Sequence, residues 1–317
     1  MRNAYLIAAG AGFVSALAFV SAMMGSPFTS FFLFLIAALP IFVAGIGWTW
    51  AAALLATAVG SLLLIVMGAK DAAMVYAGTL GMPAILLTQL AEQYREQPDG
   101  RGGTEKYWAP AGLLVLLAAL LASVISVALV SALNENLPAV REEVSKLVKS
   151  TPQISGNKDL TADQITQITD IVVFMVPAAA AMVPMIASLL NLWLAGRISL
   201  ASGQLRRPWP DLPSMRFPRG TPLVLAAAAA ASASLSGLAG MVAISIFGAF
   251  FIAYLLLGLA VIHYLTRGKS WRPFALSSVY IGLFLVNIWL AIPIILLGLA
   301  DTVFSLRGPP PAGGSST

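Results

Sequence analysis

The sequence has no cysteine and a single histidine, His263. Without thiols the chain can form no disulfide, no thiolate nucleophile and no cysteine-based zinc or iron–sulfur site. One imidazole cannot supply a metal cluster, and His263 lies in an apolar stretch beside a basic loop, so a Ser-His-Asp triad is not expected. Walker, HExxH and GxSxG motifs are also missing from the sequence. We therefore expect no cofactor, no metal site and no enzymatic activity.

Charge is also scarce. Only 10% of the residues are charged and 59% are hydrophobic, with a mean hydropathy of +0.89, whereas a soluble domain carries about 25% charged residues. This deficit excludes an ordinary soluble enzyme, a disordered chain and a nucleic-acid reader. The net charge of +5 is what basic loops on one side of a membrane produce.

The sequence contains many long apolar runs. About twenty apolar residues span a bilayer, and nine candidate spans can be counted: 5–24, 28–48, 50–68, 72–92, 108–133, 170–196, 221–239, 241–266 and 275–304. The first run is longer than a signal-peptide core and leads directly into the second, so we interpret it as a retained helix. The sequence predicts an all-α fold, a polytopic transmembrane helical bundle of about eight or nine spans.

The Lys and Arg residues predict the orientation. With the N-terminus inside, twelve of the eighteen lie inside: Arg2 and eleven residues in the loops near 93–107, 197–220 and 267–274. The positive-inside rule then predicts a multi-pass protein of a bacterial cytoplasmic (inner) membrane with a cytoplasmic N-terminus. Nine spans put the C-terminus outside, and an even number would move only the C-terminus.

The domain organisation follows from the polar segments. We predict one transmembrane domain over 1–305, with an extracytoplasmic amphipathic insertion at 134–169 and a disordered, Pro/Gly/Ser-rich tail at 306–317. Within the insertion, apolar residues at helical spacing predict an amphipathic helix over 138–149. Thr161 with Gln164 matches a capping box that opens the sixth span.

A row of small residues runs along the first span. Ala8, Gly12 and Ala16 recur at four-residue spacing, which lets helix backbones approach closely. The row predicts either a docking face for another membrane subunit or packing within this chain.

Polar groups within the spans are few. Ser232 and Ser236 could line a substrate path or bond back to their own helix, and Asn191 and Asn287 could touch a substrate or join helices. No carboxylate sits at a span centre, and Asp301 lies near the end of the last span. This pattern argues against an ion-driven pump built on buried acids.

The loop at 197–220 combines five arginines with aromatic residues and four prolines. Arg206, Arg207, Trp209 and Arg216 are its candidate contact residues. The loop is either an interfacial anchor that follows the positive-inside rule or a cytoplasmic contact site for a partner or an anionic lipid.

Three segments carry a resemblance to a known family. Leu39 to Trp48, Asn191 to Ile198 and Trp209 to Pro213 resemble the YybS-like family of bacterial predicted membrane proteins, a domain of unknown function. That family is remotely similar to the substrate-capture (S) components of energy-coupling-factor transporters, which dock a membrane coupling subunit through a small-residue row on an early helix. The resemblance implies such a role for Ala8, Gly12 and Ala16. S components have six helices, fewer than the eight or nine expected here.

Two functions follow as hypotheses. The first is a transport-related subunit that captures a small solute and relies on a membrane coupling subunit and an ATPase for energy. The second is a non-transporting scaffold in envelope assembly. The expected partners are the lipid bilayer, these subunits and an unknown small-molecule substrate, with no nucleic acid.

Overall fold

A computed structural model of the chain describes residues 2–98, 103–134, 136–150, 160–286 and 288–308. The all-α membrane bundle is confirmed. Within these ranges six helices are long and apolar enough to cross a membrane, and four shorter apolar helices lie over 50–66, 221–234, 272–286 and 289–304. Residues 151–159 of the predicted insertion and the predicted tail from 309 lie outside the described residues.

Four helices form the first part of the bundle: α1 (Arg2–Met24), α2 (Pro27–Ala37), α3 (Leu39–Gly47) and α4 (Trp50–Val66). The predicted span 28–48 is divided at Ala38, two residues before Pro40, whose ring cannot continue the hydrogen-bond ladder of α2. Ser26 caps α2 by accepting from the Thr29 backbone N–H at 3.5 Å.

The next segment contains a small sheet that the sequence analysis does not predict. Its elements are α5 (Lys70–Tyr76), a π-helical turn (Ala77–Gly81), α6 (Met82–Glu92), β1 (Tyr94–Pro98), β2 (Thr104–Trp108) and α7 (Ala111–Asn134). The two strands pair antiparallel in the predicted loop 93–107, with Tyr94 opposite Trp108 and their ring centroids 5.0 Å apart. Such an aromatic cross-strand pair stabilises a short hairpin.

The insertion helix and the long span follow as predicted. Helix α8 (Leu137–Ser150) packs on α9 (Ala162–Ala201). The Thr161–Gln164 capping box is present, with both reciprocal bonds made. The forty residues of α9 extend about 60 Å at the usual rise, which is twice the roughly 30 Å hydrocarbon core. This helix is therefore long enough to project from the bilayer.

The last four helices are α10 (Thr221–Ser234), α11 (Gly237–Leu265), α12 (Arg272–Val286) and α13 (Ile288–Phe304). The predicted division between the seventh and eighth spans is confirmed, with Gly237 at a positive φ of 62°. The single predicted span 275–304 is wrong, because it consists of two helices. They pack against each other so closely that a Cβ on Gly282 would lie 2.5 Å from Leu290 Cδ2.

The described part of the chain begins and ends, at residues 2 and 308, at the same end of the bundle. Ala8 packs with Ala44 and Ala52, where α3 ends and α4 begins, and Gly47 lies against Ser199 at the end of α9. Arg307 also reaches this end, where its guanidinium contacts residues 213–215. Residue 308, the last that the structure describes, therefore lies where an even number of spans would place it. The three loops predicted to lie inside also gather here.

Candidate ligand-binding cavity

Residues 205–215, here called the roof segment, cross the end of the bundle where these loops meet. Pro208, Pro210 and Pro213 remove backbone donors and fix extended geometry, so the only helical element here is one 3-10 turn over Leu212–Ser214. The segment lies along α11 instead of continuing α9. Its stiffness holds side chains over the helix ends without filling the space beneath them.

A cavity of about 570 Å³ lies beneath the roof segment. Its walls come mainly from α7, α9 and α11, three of the long spanning helices, and the roof segment closes one side. Most of the lining side chains are apolar, among them Leu114, Val115, Leu189, Leu192, Leu256 and Met215. Ligand pockets in proteins have this size and this apolar character.

Trp209 is seated on the last turns of α9. A Cβ on Gly196 would lie 3.2 Å from the Trp209 ring, so the absence of a side chain there makes room for the indole. The Arg197 guanidinium carbon lies 5.2 Å from the ring centroid, within cation–π range. These contacts orient the indole as a wall of the cavity.

Arg207 is the cationic group of the cavity lining beneath the roof segment. Its Nη1 donates to Ala91 O at 3.2 Å and its Nη2 to Ala109 O at 3.1 Å, so it joins the ends of α6 and the hairpin. Its guanidinium carbon lies 5.9 Å from the Trp108 ring centroid. Its Nε is buried and has no hydrogen-bond partner. Burial lowers the pKa of the guanidinium, yet arginine stays charged in proteins.

His263 and Tyr280 form a second polar group on the cavity lining. The His263 Nε2 and the Tyr280 hydroxyl are 2.8 Å apart, and Arg272 Nη2 lies 3.5 Å from His263 Nδ1. This pair joins α11 to α12, a helix without buried residues. The two ring groups satisfy each other, in contrast to Arg207 Nε.

A buried ion pair fixes the roof segment. Arg307 Nη2 lies 2.6 Å from Asp301 Oδ2, with side chains 0% and 3% exposed, respectively. The same guanidinium donates to Pro213 O at 2.6 Å and to Met215 O at 2.7 Å. Arg216 Nη2 in turn donates to Arg307 O at 3.3 Å. Arg307, which lies near the start of the predicted disordered tail, is therefore part of the fold.

The four predicted contact residues of the loop at 197–220 lie in different surroundings in the structure. Arg207 and Trp209 line the cavity, while Arg216 binds the chain's own backbone and Arg206 remains exposed. The loop therefore turns two of its residues inward, an arrangement that neither interpretation of the sequence includes.

The small-residue row on α1 is occupied by contacts within the chain. Ala8 and Ala16 are 0% exposed, and a Cβ on Gly12 would lie 2.1 Å from Ala56 O of α4. No part of these three positions is left for a second subunit in this arrangement. The contacts match the internal-packing alternative.

The predicted polar lining residues lie away from this cavity. Asn191 is buried and its Nδ2 donates to Leu35 O and Ala187 O, each at 2.8 Å, so it joins α9 to α2. Ser232 bonds back to its own helix, and Ser236 is exposed at the start of α11. Asn287 lies outside the described residues.

Sequence reasoning missed the groups that shape the site. Asp301 and Arg307 carry opposite charges six positions apart, a signal that assigning Arg307 to a disordered tail concealed. His263 was considered only as a catalytic or metal residue. Among the residues that the structure describes, no group of three His, Asp or Glu residues is placed to hold a metal ion.

Residues 13–302 match the protein family described as Predicted membrane protein (DUF2232). The chain belongs to this family. No curated protein and no solved structure matches the chain. The DUF2232 chain is thus a multi-pass membrane protein of a family without an assigned activity, whereas the YybS-like and S-component resemblances stay predictions.

Proposed function

We propose that the DUF2232 chain is a solute-capture protein that binds a small, largely apolar molecule in the cavity beneath the roof segment. The observation that carries this proposal is the cavity itself, about 570 Å³ in volume with a mostly apolar lining. A molecule that fills this space would gain dispersion contacts with the apolar lining, which favours occupancy.

The surroundings of the cavity favour capture over chemistry. The polar groups of its lining are a guanidinium, an imidazole and a phenol, and no carboxylate accompanies them to complete a general acid–base pair. We propose on this basis that the chain is not an enzyme. Movement of a captured solute would draw its energy from a partner such as a membrane ATPase complex.

The orientation belongs to the same proposal. The loops 93–107, 197–220 and 267–274 lie at one end of the bundle and carry eleven of the eighteen Lys and Arg residues. The positive-inside rule would place this end in the cytoplasm of a bacterial inner membrane. The cavity would then lie at the cytoplasmic end of the bundle. A reporter fused after Gly308 should be cytoplasmic, and an extracytoplasmic signal there would contradict this orientation.

Filling the cavity tests the proposal. Ala260 lines the cavity and is buried, so Ala260→Phe should exclude a bound molecule. Ala226 is exposed on the outside of α10, and Ala226→Phe is the matched control. Protein purified from native membranes in lipid nanodiscs is analysed by native mass spectrometry and by extraction of small molecules.

The expected result is a co-purifying molecule in the wild type and in Ala226→Phe that is lost in Ala260→Phe. A molecule retained equally by all three proteins would contradict capture in this cavity. The absence of any such molecule from the folded wild type, together with failure to bind added apolar compounds, would contradict it as well.

A further inference from the structure

One polar atom on the cavity lining has no partner. Seven buried side-chain nitrogen or oxygen atoms lack a hydrogen bond among the described residues, and of these only Arg207 Nε belongs to a residue that lines the cavity. A buried N–H without an acceptor is unfavourable, more so on a charged group. Arg207 therefore keeps one donor without an acceptor, while its other two nitrogens donate to Ala91 O and Ala109 O.

The charge of Arg207 is also unpaired. Among the described residues it forms no salt bridge, and both of its hydrogen bonds go to backbone carbonyls. Three carboxylates at this end interact with other arginines: Asp211 with Arg267, Asp301 with Arg307, and Glu92 with Arg206. A half-buried cation with no counter-ion favours an anion from outside the chain.

Polarity changes along the cavity. Arg207 sits where α6, the hairpin and α7 meet at the end of the bundle, next to the water-exposed loops. The apolar walls formed by Leu114, Leu189 and Leu256 belong to the spanning helices. A ligand that matches both regions has an acidic group at one end and a hydrocarbon body.

We propose that the solute captured by this cavity is an anionic amphiphile, with one terminal carboxylate or phosphate paired to Arg207 and an apolar body between α7, α9 and α11. This inference rests on the function proposed above and specifies the class of its substrate. Planar guanidinium recognises both oxyanions through charge-assisted hydrogen bonds. Arg207 thereby becomes the residue that determines specificity.

Ten-carbon compounds whose head groups differ in charge test the inference. The probes are radiolabelled decanoate, decyl phosphate and decanol, together with inorganic phosphate as a head group without a chain. Each is titrated against the wild-type protein in phosphatidylcholine nanodiscs, and binding to empty nanodiscs of the same lipid is subtracted. Decanoate and decyl phosphate should bind roughly tenfold or more tightly than decanol, the ratio expected for one charge-assisted hydrogen bond. Inorganic phosphate alone should not compete.

Two neighbouring arginines provide the variant and its matched control. Arg207→Gln should remove the preference for decanoate over decanol, while Arg206→Gln, which removes the same charge from an exposed side chain, should retain it. Arg207→Lys, which keeps the charge without the guanidinium geometry, should retain part of the preference. The wild-type comparison needs no variant, so it decides even if Arg207→Gln is unstable.

The outcomes separate the two proposals. Equal affinity for decanol and decanoate would overturn the anionic class and leave capture of an apolar solute standing. Binding of inorganic phosphate as tight as that of decyl phosphate would overturn the amphiphile in favour of a plain anion site. Failure of all three chain-bearing probes to bind, with Ala260→Phe indistinguishable from wild type, would overturn both.

Discussion

The region around α1 and α4 packs differently from the region around the roof segment. Around α1 and α4, small residues bring backbones into contact, as where a Cβ on Gly12 would lie 2.1 Å from Ala56 O. Around the roof segment, large side chains meet at their tips and leave about 570 Å³ open. Backbones in close contact enclose no space, whereas Trp209 and the prolines hold the roof segment away from the spanning helices.

The difference shows where binding is compatible with this fold. Dispersion contacts drive helix association in lipid, so the tightly packed region around α1 supplies stability and offers no room for a ligand. The region around the cavity combines close backbone contacts, such as that of Gly112 with Arg216 O, with polar anchors that hold the roof segment, chiefly Asp301 with Arg307. Breaking each kind of contact separately should therefore have different consequences.

The largest effect is expected at the buried ion pair. Asp301→Ala leaves the fully buried Arg307 guanidinium without its counter-ion, which destabilises by about 3–5 kcal/mol. The measurement is the free energy of unfolding in mixed micelles titrated with SDS. Because Arg307 also binds Pro213 and Met215, the roof segment should become susceptible to proteolysis in this variant.

A double variant separates the effect of the ion pair on stability from the effect of Arg307 on the roof segment. Asp301→Leu with Arg307→Met replaces both charges by apolar groups and should recover much of the lost stability. It still lacks the bonds to Pro213 and Met215, so proteolysis of the roof segment should persist. Full protection of the segment in the double variant would show that Arg307 does not hold it.

The tightly packed region is tested at two glycines of one helix. Gly12→Ala places a methyl group against the Ala56 carbonyl and should destabilise by about 1–3 kcal/mol, because the two backbones must separate. A Cβ on Gly10 meets nothing within 4 Å, so Gly10→Ala should leave stability unchanged or slightly raised. Equal effects in SDS unfolding would argue against close backbone contact as the stabilising feature.

Local chemistry made much of the fold predictable. The capping box at Thr161 and the break before Gly237 depend on neighbouring residues, and both are confirmed. The division of the run 275–304 was missed because its hydropathy is continuous and the break depends on how α12 and α13 pack. The side of the C-terminus depends on whether the number of spans is even or odd, which the continuous hydropathy left open.

The site was less predictable than the fold. The sequence drew attention to Arg207 and Trp209 through composition, but not to their inward position, which depends on contacts with Ala91 and Gly196 far away in the chain. The polar residues chosen for a cavity, Asn191 and Ser232, bond to helix backbones. Composition identifies costly polar groups, and only tertiary contacts decide which of them meet a ligand.

Asn191 provides an intermediate test, since it joins α9 to α2 between the two regions. Asn191→Leu removes the bond to Leu35 O. Because interhelical hydrogen bonds in membranes contribute about 0.6 and at most about 1.7 kcal/mol, the free energy of unfolding should fall by an amount in this range. Ser232→Ala removes a bond within one helix and should have no measurable effect. Loss of solute binding in Asn191→Leu at an unchanged free energy of unfolding would contradict a role for Asn191 in joining α9 to α2.

The smallest effect is expected at the exposed pair on the outer side of the roof segment. The hydrogen bond from Arg267 lowers the pKa of the Asp211 carboxyl below its usual 3.8. The folded-state pKa is depressed, so the stabilisation is present above pH 3.8 and is lost as the pH falls through the folded-state value. Because the pair is solvent-screened, the difference between wild type and Asp211→Asn should stay below about 1 kcal/mol at neutral pH. It should disappear in acid, as measured by SDS unfolding at both pH values. A difference that persisted in acid would assign Asp211 a role in shaping the roof segment that does not depend on its charge, bringing it closer to Asp301.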